Sequence, residues 1–195
     1  MLLKLLVVIV AYLIGAIPTG YLVGRWLGGI DIRRYGSGNI GFTNVLRVLG
    51  PGPGIITLLG DVGKGFLAAK LGFVTGGTNL AIVTGLTAIA GHSWPVYLGF
   101  KGGKIIATGF GVLLALAWQV ALLALALWLI VFLLSRYVSL ASIVAAVSVP
   151  VSMVLWRESV GLILFGLVAA AVALYKHRDN IRRLRQGTEH RFGRR

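Results

Sequence analysis

The 195-residue chain reads as an all-α protein, a polytopic membrane helix bundle of about seven transmembrane helices. Three observations carry this. Hydrophobic residues make up 57% of the chain and charged residues only 12%, about half the share of a soluble domain. Apolar runs of about 20 residues recur along the sequence, separated by short polar stretches. The cations gather in a few of those stretches, as expected of loops kept on the cytoplasmic side.

Leu2–Val23 is the first run, with Pro18 expected to kink it. Arg25, Arg33 and Arg34 follow where a secretory signal would end in a small-residue cleavage site, so the segment is read as a retained span. After a polar segment, Gly54–Val74 forms the second run. It contains Asp61, Lys64 and Lys70, and the spacing puts Asp61 and Lys64 on one helix face as a pair. Thr75–Asn79 is expected to be a short loop, and Leu80–Leu98 the third run. Ile105–Leu134 then continues for 30 residues without a charge. As one helix it would be about 45 Å long, against a hydrocarbon core of about 30 Å. Charge decides the matter. Arg25, Arg33, Arg34 and Arg47 in the first polar segment belong on the same side as the tail, with Lys176, Arg178, Arg182, Arg183, Arg185, Arg191, Arg194 and Arg195. That requires an odd number of spans, so the long run is expected to break near Trp118 and Gln119 into two short helices of about 20 Å each. Val138–Trp156 and Val160–Tyr175 complete the set, joined by "RES" (157–159). The N-terminus then lies outside and the C-terminus in the cytoplasm. Without internal repeats or low-complexity linkers, residues 1–195 are expected to form one domain.

"YGSGNIGFTN" (35–44) contains a G-x-G-x-x-G pattern in Gly36, Gly38 and Gly41, and Asp61 follows where a ribose-binding carboxylate would sit. A dinucleotide site needs a buried strand before the glycines and alternating strands and helices around them, and neither is present. The glycines instead suit an anion nest, with Ser37, Asn39 and Arg47 close by. "LGFKGGKI" fails as a Walker loop. Three residues separate Gly99 from Gly103 where four are needed, and Ile105 stands at the Ser/Thr position. What remains is Lys101, Gly102, Gly103 and Lys104, a second anion contact at the membrane surface. With no cysteine, three scattered histidines and five carboxylates (Asp31, Asp61, Glu158, Asp179, Glu189) not paired for acid–base work, neither a metal site, thiol catalysis nor a two-carboxylate hydrolase is expected. His92 and His177 fall on the side of the glycine loops. The net charge of +14 is assigned to anionic lipid rather than nucleic acid. In "RYVSLAS" (136–142), Ser139 is expected to cap a helix, while Ser142 is open to helix packing or substrate contact. The basic tail has a small apolar face, Ile181 and Leu184, suited to a lipid surface; that use leaves Asn180 unexplained. Together these segments suit a phosphate-bearing anion beside lipid.

Three ordered motifs, "SGNIGFTN" (37–44) with Arg47, "GHSWPVYLGFKGGKIIAT" (91–108) and "HRDNIRRLRQGTE" (177–189), resemble those of the bacterial membrane acyl-phosphate:glycerol-3-phosphate acyltransferases, the PlsY family. "RYVSLAS" fits the same pattern, and the likeness covers essentially the whole chain. The resemblance implies a seven-helix enzyme of phospholipid biosynthesis in the bacterial inner membrane, with its site on the cytoplasmic side. Its substrates would be acyl phosphate and glycerol 3-phosphate, its products lysophosphatidic acid and inorganic phosphate. No cofactor, acyl-CoA or acyl-carrier protein is implied. Carried over by position, the catalytic group is Ser37, Asn39, His92 and Lys104. The substrate-binding group is Gly36, Gly38, Gly41, Thr43, Asn44, Arg47, Lys101, Gly102, Gly103, Ser142, His177 and Asn180. The general base is either His92 or the phosphate of glycerol phosphate itself. Two positions depart from the family pattern: Ile105, where glycine is usual, and Phe42, where a small residue is usual. A transporter of a small phosphorylated solute is the alternative class, though cations confined to one face count against it. A lipid-binding scaffold without chemistry is a third.

Overall fold

The computed structural model describes residues 1–193, and among these it contains helices, turns and loops but no strand. Arg194 and Arg195, two of the basic tail residues, lie outside the described residues. The first apolar run divides into α1 (Leu2–Ala16) and α2 (Thr19–Gly28), bent by 40°. Pro18 sits at the break, where its missing N–H and fixed φ interrupt the helical ladder. A 3₁₀ turn, Ile32–Arg34, leads through the glycine loop to α3 (Phe42–Leu49).

The next element corrects the expected loop at Thr75–Asn79. Helix α4 spans Pro51–Ser93, and only Gly76 (φ −161°, ψ 22°) and Gly77 (φ 71°, ψ −167°) leave helical geometry. Gly77 adopts the left-handed region without steric cost, so two residues accomplish the turn expected of five. The arms 51–75 and 78–93 fold back on each other. A Cβ at Gly72 would collide with Thr84, and Asp61 lies beside His92. The second arm ends at Ser93 rather than Leu98, and a 3₁₀ turn, Val96–Leu98, leads into the lysine loop.

The long apolar run breaks as its length demands, at Ala117 (φ −152°, ψ 73°). The pieces are unequal, which corrects the expectation of two helices of similar length. Helix α5 (Ile106–Leu116) has 11 residues and α6 (Trp118–Ser135) has 18, or about 16 and 27 Å. Helices α7 (Val138–Leu155), α8 (Val160–Lys176) and α9 (Arg178–Arg185) follow, with α9 bent 59° from α8. Ser159 caps α8 by accepting from the Leu162 N–H. Among the described residues, three helical stretches are long and apolar enough to cross a membrane, or five if each bent pair counts as one span.

The chain forms two compact units, Met1–Leu116 and the residues from Ala117 onward. The first is built on small residues. Ala11, Ala68 and Ala88 pack where α1 crosses α4, and side chains at Gly15 or Gly91 would collide with the backbone of Ala88 or Tyr12. Gly65 and Gly111 allow α4 and α5 the same close approach. In lipid, where burial of apolar surface drives little association, such backbone proximity is the available source of packing energy. A second cluster, Val23, Ile32, Ile40 and Val45, lies under the glycine loop. In the second unit α7 packs on α6 and α8, with Gly166 set against Met153 and Pro150. Ile105 is buried, with its carbonyl accepting from the Gly109 N–H at 2.6 Å in the first turn of α5. Its side chain is thus among the buried hydrophobic residues.

Candidate active site

The glycine loop of residues 35–41 is shaped by one side chain. Asn44, at the start of α3 and 2% exposed, turns back into the loop. Its Oδ1 accepts from the Ser37 N–H at 2.8 Å. Its Nδ2 donates to the carbonyls of Asn39 (2.9 Å), Tyr35 (3.1 Å) and Ile32 (3.3 Å). A side chain at Gly36 would collide with Asn44 Oδ1, and Gly36 (φ 57°) and Gly38 (φ 71°) both occupy the left-handed region. The Gly38 N–H donates to Tyr35 O, and the Gly41 N–H donates to Asn39 Oδ1 at 2.8 Å. The N–H groups of Ser37, Gly38 and Gly41 are therefore committed within the protein.

The lysine loop is moulded on His92. The Gly103 N–H donates to His92 O at 3.1 Å, and side chains at Gly102 or Gly103 would strike His92. His92 Nε2 lies 2.8 Å from Lys104 O. Lys101 is exposed and Lys104 half-buried.

Between the two loops lies a cavity of about 260 Å³, lined by Arg33, Ser37, Gly38, Asn39, Ile40, Lys101 and Gly102. It is slightly below the range of about 300–1,000 Å³ usual for small-ligand pockets, a size for a headgroup rather than a whole acyl chain. Among the described residues, the cavity-lining N–H groups of Asn39, Ile40 and Gly102 have no protein acceptor. They are the backbone donors left for an anion.

Sequence reasoning missed two of the lining residues, Ile40 and the charged Arg33. It forks onto Asp31, with Nε–Oδ1 2.9 Å and Nη2–Oδ2 2.7 Å, and its guanidinium lies 4.9 Å from the centre of the Tyr21 ring. The hydrogen-bonded guanidinium holds the Asp31 carboxyl down at about 2. Arg47, expected in the site, is exposed on α3 and does not line the cavity; Thr43 is half-buried on the same helix.

The second unit gathers its own polar cluster. Glu189 Oε1 accepts from Asn180 Nδ2 (2.6 Å) and Ser139 Oγ (2.9 Å), and Oε2 from Arg183 Nε (2.7 Å). Burial pushes this carboxyl up, but those three hydrogen bonds and the Arg183 charge together bring it below the usual carboxylate range. Ser139 is not the cap expected of it: Tyr137 occupies that position, and the serine hydroxyl reaches Glu189 instead. Ser142 Oγ donates to Val138 O (2.8 Å) and accepts from Trp128 Nε1 (3.1 Å), which ties α6 to α7. His177, 3% exposed, has Nδ1 2.8 Å from Ala173 O; a carbonyl only accepts, so Nδ1 carries a proton.

A mostly apolar helical chain with cations and backbone donors around a headgroup-sized cavity falls in the class of integral membrane proteins that hold an anionic ligand. Residues 5–187 match the family model described as Glycerol-3-phosphate acyltransferase, and the chain belongs to that family. The glycerol-3-phosphate acyltransferase of Desulforudis audaxviator (strain MP104C) is 53% identical over 192 residues, 96% of this chain and 95% of the relative. That of Carboxydothermus hydrogenoformans is 47% identical over 189 residues, 97% of this chain and 96% of the relative. Among solved structures, the fold is similar to PlsY (YgiH), an integral membrane glycerol 3-phosphate acyltransferase. Its glycerol 3-phosphate form gives a TM-score of 0.94 at 43% identity, covering 97% of this chain and 96% of that one. Its lysophosphatidic acid form gives 0.92 at 42% identity, with 97% and 95% covered.

Proposed function

We propose that this protein moves the acyl chain of an acyl phosphate to the 1-hydroxyl of sn-glycerol 3-phosphate. Lysophosphatidic acid and inorganic phosphate are released at the cytoplasmic face of a bacterial inner membrane. The observation that carries the reading is the cation-lined cavity between the two glycine loops, in a chain of this family. The glycerol hydroxyl oxygen attacks the acyl carbonyl carbon, and the tetrahedral intermediate collapses as the bond to the phosphate oxygen breaks. Phosphate leaves with the electron pair. The donor is a mixed anhydride, already activated, so no covalent enzyme nucleophile is required, which fits a sequence without cysteine.

Charge is the greater obstacle, because each phosphate monoester carries about −1.5 to −2 near neutral pH. Lys101 offsets it at the cavity beside the Arg33–Asp31 pair, where the Ser37 hydroxyl and Asn39 receive the acyl-phosphate headgroup and Gly38 shapes the loop. Gly36 and Gly41 shape that loop with Asn44, next to Thr43. Lys104, Arg47, Ser142, His177 and Asn180 are assigned to glycerol phosphate, with Gly103 supporting Lys104. The Asn39 and Gly102 N–H groups suit the developing oxyanion; losing one such donor typically costs about 2.7–4 kcal/mol of barrier. The proton passes to the dianionic phosphate of glycerol phosphate. What favours this over a histidine base is that His92 is 1% exposed and its Nε2 is engaged with Lys104 O.

Seven spans suit this arrangement: the bent α1–α2 pair, the arms 51–75 and 78–93 of α4, and α5, α6, α7 and α8. The odd count keeps the glycine loop and the tail in the cytoplasm, with the N-terminus outside. The chain works as one acyltransferase domain, without cofactor, acyl-CoA, acyl-carrier protein or nucleic acid, and its surplus cations meet anionic lipid. The test is purified protein in vesicles given long-chain acyl phosphate and glycerol 3-phosphate. Lysophosphatidic acid and inorganic phosphate are expected in equal amounts. Uptake of glycerol 3-phosphate without either product would replace this reading with the transporter.

A further inference from the structure

Three ionisable side chains away from the cavity are buried together. Asp61 and Lys64 lie one turn apart on the first arm of α4, and His92 lies opposite on the second. Their side chains are 2%, 5% and 1% exposed. Lys64 Nζ is 2.7 Å from Asp61 Oδ1 and donates to Ile17 O at 2.8 Å. Ile17 follows the last residue of α1, where terminal carbonyls lack helical partners, so Lys64 closes that end. Asp61 Oδ1 also stands 3.6 Å from His92 Nδ1, beyond hydrogen-bond distance and an ion pair only when the ring is protonated at both nitrogens. On the far side of the same ring, Nε2 is 2.8 Å from Lys104 O; since a carbonyl only accepts, Nε2 is the donor.

The contacts thus form a line: Ile17 O, Lys64, Asp61, His92, Lys104 O. It joins the break in the first span to the lysine loop. A pair serving only to neutralise charge within α4 has no need to sit against a histidine that grips a loop. The main chain of His92 holds that loop as well, through the Gly103 N–H. Buried charges within membrane helices are costly and tend to mark functional sites.

We propose, on the acyltransferase reading, that Asp61 is a positioning residue for the reaction. Its carboxylate, anchored by Lys64, sets the doubly protonated ring of His92 by charge across the 3.6 Å gap to Nδ1. Nε2–H of His92 then fixes the Lys104 carbonyl, and with it the direction in which Lys104 meets glycerol phosphate. Asp61 touches no substrate; it acts through His92.

The test compares wild type with Asp61→Asn/Lys64→Gln, which removes the pair together, so that neither the carboxylate nor the ammonium is left without the other. Melting temperature, KM for each substrate, kcat, and calorimetric binding of glycerol 3-phosphate are measured. The double variant is expected to fold and to weaken glycerol 3-phosphate, in KM and in direct affinity. The loss should be about 10- to 100-fold, by analogy with removal of a group that orients a metal-binding side chain. KM for acyl phosphate should be unchanged. Wild-type affinity for glycerol 3-phosphate in that variant would overturn the proposal. Should the variant not fold, His92→Leu leaves the Asp61–Lys64 pair intact and must show the same split, with His92→Gln, whose amide reaches Lys104 O, restoring it. An unchanged KM in His92→Leu would overturn the proposal equally. Calorimetry needs no turnover, so a wild type that binds glycerol 3-phosphate but makes no product would sink the acyltransferase reading alone.

Discussion

Replacing Asn44 tests the origin of the glycine loop's shape. In Asn44→Ala, four hydrogen bonds to loop backbone are lost: one to the Ser37 N–H and three to carbonyls. The bond to Ile32 O, at 3.3 Å, is the weakest and is left out of the sum. The other three contribute about 1 kcal/mol each, giving about 3 kcal/mol in favour of the ordered loop. If every turnover needs that loop in place, kcat/KM for acyl phosphate should fall by about two orders of magnitude, at about 1.36 kcal/mol per decade. Global stability should change little, because the small-residue crossings of α1, α4 and α5 are untouched. The isosteric Asn44→Asp should be worse than alanine. It keeps the acceptor for Ser37 but turns the Nδ2 donor into a second carboxylate oxygen facing three carbonyls. Initial rates of lysophosphatidic acid formation across a donor titration, with thermal unfolding in parallel, provide the measurement. An Asn44→Asp enzyme within a few-fold of wild type, or better than Asn44→Ala, would refute the account of the loop.

Other consequences follow from the same geometry. Gly91→Leu forces a side chain into the Tyr12 backbone at the α1–α4 crossing, and thermal unfolding in detergent should show a loss of about 1–3 kcal/mol. Lys101→Gln removes a cation lining the cavity and should raise KM for acyl phosphate about tenfold, the value of one charge-assisted hydrogen bond; an unchanged KM would put the headgroup elsewhere. Glu189 sits below its ordinary range when folded, so its contribution to stability is present above the unfolded value of about 4.3 and is lost as pH falls through the lower folded value. Hydrogen-exchange protection factors for residues 177–193 should therefore drop only below about pH 4.3, and Glu189→Gln should flatten that dependence. A drop near neutral pH would assign the tail's stability to another group.

Much of the helix plan was legible because length and charge constrain it. A 30-residue apolar run is too long for one bilayer crossing, and the break at Ala117 follows. The turn at Gly76–Gly77 was overestimated because residues 75–79 look like a polar loop, whereas one left-handed glycine suffices. The Asp61–Lys64 pair could be read from i,i+3 spacing, but its link to His92 depends on how the arms of α4 fold back. Asn44 entered the substrate-binding group only through the family resemblance. Only the loop's path back over α3 reveals that its side chain is spent on the backbone. Arg33 was passed over as one more interfacial cation, since nothing local to it foretells a cavity shared with Lys101. Glu189 meets Ser139 across 50 positions of sequence, a contact no local pattern encodes.

Donor choice bears most directly on the central claim. Reconstituted protein is given glycerol 3-phosphate with either long-chain acyl phosphate or the matching acyl-CoA, and lysophosphatidic acid is followed. The account predicts product from acyl phosphate and none from acyl-CoA. Product from acyl-CoA alone, or from neither donor in a folded protein, would contradict it.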